Sequence, residues 1–275
     1  MININYDSDK EIMNAIIKNG ELPRYIYKYM SMETAKIVLE NNSIRFSKPP
    51  LFNDPFDCQL TIDTGNTNEE VDGYVNQIAK TKGLSAHQKE EYRIKLRNPN
   101  VRFQITNNSI QQAINSMKIS CFSTAYDNLL MWAHYANKHY GVVMKFDVLK
   151  DASFFMVPYP VNYTKEYPVF NYLRDDYYKG GGQIAPLLTK TKSSEWEYEK
   201  EVRVMKPDTD IHNPSDHQLF SIKKEAIIEI ILGCQISDEQ KKEFVYFAKD
   251  KGWSNLVFKQ SKKKSWEFGL DFFAY

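Results

Sequence analysis

The sequence predicts an α+β fold, and three observations lead there. Strand signals outnumber the strand–helix–strand units that a doubly wound sheet would use. Residues 62–118 are polar with helical patterning, which predicts a helical insertion packed on a sheet edge. Finally, 275 residues with 42% apolar and 14% aromatic side chains can bury a substantial core. Residues 1–275 are therefore read as a single α+β domain.

In chain order, residues 10–18 predict a helix with Ile12, Met13, Ile16 and Ile17 on one face, closed by Pro23. Residues 25–30 are aromatic and β-prone, a first strand. Ser31 stands where an N-cap belongs, ahead of a helix with stripe Ala35, Val38 and Leu39 that ends near Asn41. Residues 44–47 predict a second strand, halted by Pro49 and Pro50. Asn53, Asp54, Pro55, Phe56 and Asp57 are turn chemistry, because Asn and Asp side chains bond nearby backbone and Pro fixes φ.

Within the insertion, Gly83, Pro99 and the pair Asn107 and Asn108 predict helix breaks. Residues 119–123 predict a strand. Asp127 is read as the cap of a helix over 129–138 that Gly141 ends. Strands follow at 142–146 and 155–163. Residues 172–179 and 184–191 read as helical on either side of Gly180, Gly181 and Gly182. Residues 201–205 alternate as a strand should, and the β-branched run 226–232 predicts a central one. Ser237 caps a helix to about residue 250, and strands at 256–259 and 267–273 complete the reading.

Lys and Arg number 36 against 35 Asp and Glu, a net charge of +1. That balance argues against a polybasic nucleic-acid binder, although a local basic groove is compatible with it, since net charge averages over faces. No apolar run reaches the roughly 20 residues of a membrane helix. The first residues show no basic region followed by an apolar one, so a cytoplasmic protein with no membrane partner is expected. Cys58, Cys121 and Cys234 are widely spaced and none forms a CxxC pair, so neither a disulfide framework nor a cysteine zinc site is expected. His134 and His139 are five apart rather than the four of a helical metal pair, so no metal site is expected. The three glycines lack a following Lys-Ser or Lys-Thr and read as a hinge, not a phosphate loop.

Three clusters carry chemistry. In the first, Glu199 and Glu201 at the start of a strand share one face by the period of two, and Arg203 continues it. Two close carboxylates push one pKa up, which lets a site hold both a fixed charge and a proton carrier. The alternative is an exposed strand face stitched by Lys and Arg. In the second, Trp132 and Tyr135 share a helix face that could stack a ring, as do Met131 and Tyr135. The alternative is plain core, with His134 the partner of a buried carboxylate. In the third, alternation places Lys28 opposite Tyr27 and Tyr29, so that it faces a cleft while both tyrosines pack. Asn53 and Asp54 either contribute to that cleft or simply form the turn.

Taken in order, these segments resemble the bacterial "domain of unknown function 2971" group. The likeness is carried by Tyr27, Lys28 and Tyr29; by Phe52 to Asp57; by Ser120 to Ser123; by Met131 to Ala136; and by Lys192, Trp196 and Tyr198 to Arg203. The block order in turn resembles that of ADP-ribosyltransferases, which implies a split, mixed or antiparallel sheet. On that resemblance NAD is the substrate and ADP-ribose passes to a macromolecular acceptor, protein or nucleic acid. Glu201 is then the catalytic carboxylate and Glu199 activates the acceptor. Lys28, where such enzymes carry Arg or His, holds a ribose, and Ser123 braces the pocket. Tyr29, Asn53, Asp54, Trp132, His134, Tyr135 and Arg203 complete the NAD-binding set, and residues 190–196 meet the acceptor. The resemblance further implies a toxin or phage-defence effector with a neutralising partner protein. Two other classes stand beside it: a catalytically inert nucleotide- or partner-binding module, and a metal-dependent nuclease using Asp54, Asp57 and the Glu pair with magnesium.

Overall fold

The computed structural model describes residues 6–156, 158–177, 182–209 and 215–275. Helix α1 (Tyr6–Lys18) leads into strand β1 (Tyr25–Met30), helix α2 (Met32–Asn41) and strand β2 (Ser43–Ser47). Ser31 caps α2 by accepting from the Thr34 amide, and Asn42 closes it in the left-handed region. The short β3 (Thr61–Ile62) precedes three helices: α3 (Asn68–Lys82), α4 (Ala86–Arg97) and α5 (Pro99–Asn115). Then come β4 (Met117–Ser123), α6 (Leu129–Tyr135), β5 (Val142–Asp147) and α7 (Ala152–Phe155). Short strands β6 (Tyr159–Pro160), β7 (Asn162–Thr164) and β8 (Val169–Phe170) lead to α8 (Ile184–Lys190) and β9 (Thr191–Ser193). The chain finishes with β10 (Glu201–Pro207), β11 (His217–Ser221), β12 (Ile227–Leu232), α9 (Asp238–Asp250), β13 (Val257–Lys263) and β14 (Leu270–Ala274).

The main sheet runs β11-β2-β4-β1-β5-β12-β13-β14, with β10 added on β4 and β6 on β10. It is mixed, because β12 and β13 run parallel while the remaining pairs are antiparallel. One edge of β4 pairs with β10 along its whole length, from Glu201↔Ser123 to Pro207↔Met117. On the other edge it meets β1 only at Tyr27↔Ser123 and β2 only at Ser47↔Ile119. Between those two contacts the sheet parts. The ammonium of Lys28 enters the gap, donating to the Cys121 carbonyl at 2.7 Å and to Ser120 Oγ at 3.0 Å. A carbonyl that has lost its ladder partner thus gains a charged donor.

Strand alternation divides the core. Ile26 and Met30 of β1 join Phe46, Phe122, Phe146 and the α2 and α9 residues Leu39 and Phe244 on one face. Tyr27 and Tyr29 pack on the other, with Val143, Ile231 and the α6 residues Met131 and Trp132. Helices α3 to α5 are held by smaller cores. In one, Leu173 lies among Val71, Tyr74 and Ile78; in the other, Phe170 and Leu188 lie among Ile110 and Ile114.

Several local expectations need correction. Asn107 and Asn108 sit inside α5, because the breaks at Gly83 and Pro99 already provide the turns. Asn128, not Asp127, caps α6, accepting from the Leu130 and Met131 amides. That helix ends at Tyr135 rather than near residue 138, since Asn137, Lys138 and His139 all take positive φ. Residues 155–163 are not one strand: α7 ends at Phe155, and two short strands follow. Strand β11 lacks a strong apolar run and went unanticipated. Gly180 and Gly181, two of the three hinge glycines, lie outside the described residues, as does Lys179.

Candidate active site

Where β1 and β4 separate, their side chains form one wall of a cavity of about 150 Å³. Tyr27, Lys28 and Tyr29 come from β1, and Cys121, Phe122 and Ser123 from β4. The turn after β2 supplies Phe52, Asn53 and Asp57, helix α6 supplies Met131 and Tyr135, and Lys192, Glu199 and Glu201 close it.

The two glutamates converge by a turn and not by pleating. Glu199 ends a 3-10 helix (Ser194–Glu199), Lys200 takes φ 45° in the left-handed region, and Glu201 opens β10. Backbone bonds fix that turn from three sides. Ser123 Oγ donates to the Glu199 carbonyl at 2.6 Å, and Asn128 Nδ2 to the Tyr198 carbonyl at 3.2 Å. The Glu201 amide donates to the Tyr163 hydroxyl at 2.7 Å.

A buried charge network lies behind the cavity wall. Lys192 Nζ is 2.5 Å from Glu199 Oε2, 3.0 Å from Glu201 Oε2 and 3.9 Å from Asp57 Oδ2. Arg203 binds both oxygens of Glu201, at 2.7 Å and 3.2 Å, and reaches Asp57 Oδ2 at 2.5 Å. It also donates to the Thr189 carbonyl at 3.1 Å. Tyr135 completes the chain: its hydroxyl donates to Glu199 Oε1 at 2.6 Å and accepts from Asn53 Nδ2 at 3.0 Å. Three carboxylates thus meet two cations, with the ammonium of Lys28 as the nearby third positive charge. Such a group tolerates burial only because every member is paired and hydrogen-bonded.

The two glutamates are held in unlike electrostatic states. Burial opposes the charge of Glu201, but Arg203 and Lys192 outweigh it and hold the carboxyl down at about 2. For Glu199 burial prevails over the help of Lys192 and Tyr135, with the neighbouring Glu201 charge adding to it, so its pKa is raised. Burial also works against the charge of Lys192, which Glu201 and Glu199 more than restore. Lys28 is shifted the other way, its pKa lowered by burial. The phenol of Tyr135 is pushed up by burial and by its bond to Glu199, so it stays a donor.

The sequence-selected residues divide accordingly. Lys28, Tyr29, Asn53, Ser123, Tyr135, Glu199 and Glu201 line one cavity, and Arg203 stands directly behind Glu201. The exposed, lysine-stitched strand face is overturned, because Glu199, Glu201 and Arg203 are all buried. Trp132 is core and does not face the cavity: it is fully buried, edge-on to Tyr29 and bonded through Nε1 to the Tyr126 carbonyl. His134 is exposed and lies outside the cavity, one position off the α6 face that carries Met131 and Tyr135. Asp54 caps its own turn, accepting from the Phe56 amide at 2.9 Å, and lines a separate cavity with Trp196. Sequence reasoning missed Asp57 as the partner of Arg203, Tyr163 as the acceptor for the Glu201 amide, and Lys192 as the hub. A buried lysine leaves no periodic signal; the family resemblance singled out Lys192, but only its nearness to Glu199 and Glu201 could have pointed to its role as their partner.

Among the described residues no group of three His, Cys, Asp or Glu is placed to hold a metal ion. The oxygens of Asp57, Glu199 and Glu201 are instead engaged by Lys192, Arg203 and Tyr135. The cavity's volume suits a planar ring or a sugar rather than a whole dinucleotide. No helix of the described residues is long and apolar enough to cross a membrane.

A family model described as "Protein of unknown function (DUF2971)" matches residues 131–204. The matched segment runs from α6 into β10 and contains Tyr135, Lys192, Glu199, Glu201 and Arg203, so it supports kinship with that family. No curated protein and no solved structure matches the chain.

Proposed function

We propose that the chain is an ADP-ribosyltransferase-like enzyme that cleaves NAD at the nicotinamide–ribose bond and passes ADP-ribose to a macromolecule. One observation carries this reading: two carboxylates meet at a cavity wall in unlike electrostatic states. Unlike environments for adjacent carboxyl groups are how a site separates a fixed charge from a proton carrier. The parting of the sheet between β1 and β4, with a cavity at the split, supports the ADP-ribosyltransferase type of fold.

In this mechanism the bond from ribose C1′ to the nicotinamide nitrogen breaks, and its electron pair leaves with nicotinamide. Positive charge then develops on the sugar. Glu201, ionised throughout the neutral range, stabilises that charge more in the transition state than in the ground state. The acceptor's nucleophile bonds to C1′, and its proton passes to Glu199. Tyr135 and Lys192 hold Glu199 in position for that transfer. Lys28 offers a donor to ribose or phosphate oxygens. On this reading the role is that of a toxin or phage-defence effector, with a neutralising partner protein.

A second reading, an inert binding module, is favoured by the occupancy of Glu201: both its oxygens are already bonded, by Arg203 and Lys192. The variants E199Q and E201Q separate the two. Nicotinamide release and label transfer from NAD are measured beside thermal melting, since E201Q alters a buried network. The enzyme reading expects E201Q to abolish release and E199Q to depress transfer at least tenfold while release by hydrolysis persists. Release unaffected in folded E201Q protein would establish that Glu201 is scaffold.

A further inference from the structure

A second cavity, of about 380 Å³, lies beside the carboxylate cavity where β2 parts from β4. Strand β2 meets β4 only at Ser47↔Ile119. Ile44 and Phe46 of β2 enter the main core, so Ser43, Arg45 and Ser47 share the opposite face by the period of two, and all three line this cavity. Lys28 lines both cavities, as do Tyr29, Phe52 and Cys121.

The charge of this lining has one sign. Arg45 and Lys28 contribute to it, and no carboxylate among the described residues does. Nor does any carboxylate among the described residues form an ion pair with either. Lys28 has a donor to spare, because an ammonium carries three and Ser120 and Cys121 take two. Burial lowers its pKa and the charge of Arg45 adds to that, so an anion held by both would offset both. Ser43 supplies a second, independent sign of a ligand. It is only 6% exposed, yet its hydroxyl has no hydrogen-bond partner, whereas Ser47 Oγ is bonded to His217 Nδ1 at 2.9 Å.

Two cations and a spare hydroxyl match a phosphate, which brings nearly two negative charges and several acceptor oxygens at neutral pH. The rest of the lining is apolar. Ile37 and Leu219 are 52% and 56% exposed at its margin, which suits the organic group of an ester better than bare phosphate.

We infer that this cavity binds a phosphate ester, its phosphate on Lys28, Arg45 and Ser43 and its organic group against Ile37 and Leu219. Two sources carry that chemistry: a separate small ester, or the phosphates of a dinucleotide reaching across from the carboxylate cavity. Binding needs no turnover, so the inference stands or falls independently of the transferase reading.

Isothermal titration calorimetry of the full chain at low salt tests it, with phenyl phosphate and inorganic phosphate as probes. Saturable binding of phenyl phosphate is expected, tighter than that of inorganic phosphate. R45Q should weaken it by about tenfold or more, and S43A by roughly fivefold. Thermal melting of both variants should be unchanged, because Arg45 is exposed and the Ser43 hydroxyl has no partner to lose. Excess NAD distinguishes the sources: unchanged phenyl phosphate affinity assigns a separate ester, and mutual exclusion assigns the dinucleotide's own phosphates. The inference is overturned by absence of saturable binding, by undiminished binding in R45Q, or by inorganic phosphate binding as tightly as the ester.

Discussion

Arg203 has no exposure to solvent, yet it carries a full charge and spends it on Glu201, Asp57 and the Thr189 carbonyl. Removing one partner from such a group leaves uncompensated charge in low dielectric, so R203M should lower the unfolding free energy in urea by about 3–5 kcal/mol. The same group sets the acid response. Glu201 is held at about 2 against an ordinary 4.5, so its stabilising contribution is complete above 4.5 and drains away as pH falls toward 2. Glu199, with its pKa raised, acts oppositely: its ionisation costs stability once pH rises past the ordinary carboxylate value. In R203M the acid loss of stability should therefore begin at higher pH than in the natural chain, as urea unfolding across pH 2–7 will register. Much of this was legible from residue types alone. The pairing of Glu201 with Arg203 follows from a two-residue spacing on one strand face. The convergence of Glu199 does not, because it depends on the left-handed Lys200, and a lysine at positive φ has no sequence signature. Trp132 failed as a ring-stacking residue for a similar reason: helical spacing defines a face but not which neighbour covers it.

At the scale of elements, α6 matters more to the cavity than its seven residues suggest. It brings Tyr135 to Glu199 and Met131 to the cavity wall, and its cap Asn128 also ties the helix to the Tyr198 carbonyl. The variant N128A forfeits both services. It should cost about 1–2 kcal/mol in urea unfolding, and it should reduce transfer to the acceptor because Tyr135, which holds Glu199, loses its anchor. Unchanged stability in N128A would show that the helix is positioned by packing alone. Gly233 makes a comparable backbone contact: its amide bonds to the Gly141 carbonyl at 3.0 Å, and a Cβ there would collide with the His139 carbonyl. That close approach is why the turn after α6 can run against the end of β12. Elements with strong local chemistry were readable in the sequence: β1 as an aromatic strand, α2 and α9 from their serine caps, β12 from its β-branched run. Short pieces such as β6 to β9 were not, since two or three residues carry no period.

At the scale of the whole molecule, the partition of the sheet is the feature on which the proposed function rests. Strand β4 pairs fully with β10 on one edge and is shared between β1 and β2 on the other, and Lys28 fills the opening. A split sheet was expected only through the family resemblance, and the strand order could not be read at all, because pairing between strands some 90 residues apart leaves no local trace. The carboxylates gain their unlike states from this arrangement: both are buried, but Glu201 is backed by Arg203 and Lys192, whereas for Glu199 burial outweighs Lys192 and Tyr135. On the proposed reading, this cavity cleaves NAD. Its most direct test is turnover by the purified natural chain, using NAD labelled in the adenylate half, with mixed cell protein and RNA offered as acceptors. Nicotinamide release is expected, with label appearing on one acceptor class. No release in the presence of either acceptor, from folded protein at neutral pH, would contradict it and leave the glutamate pair as scaffold.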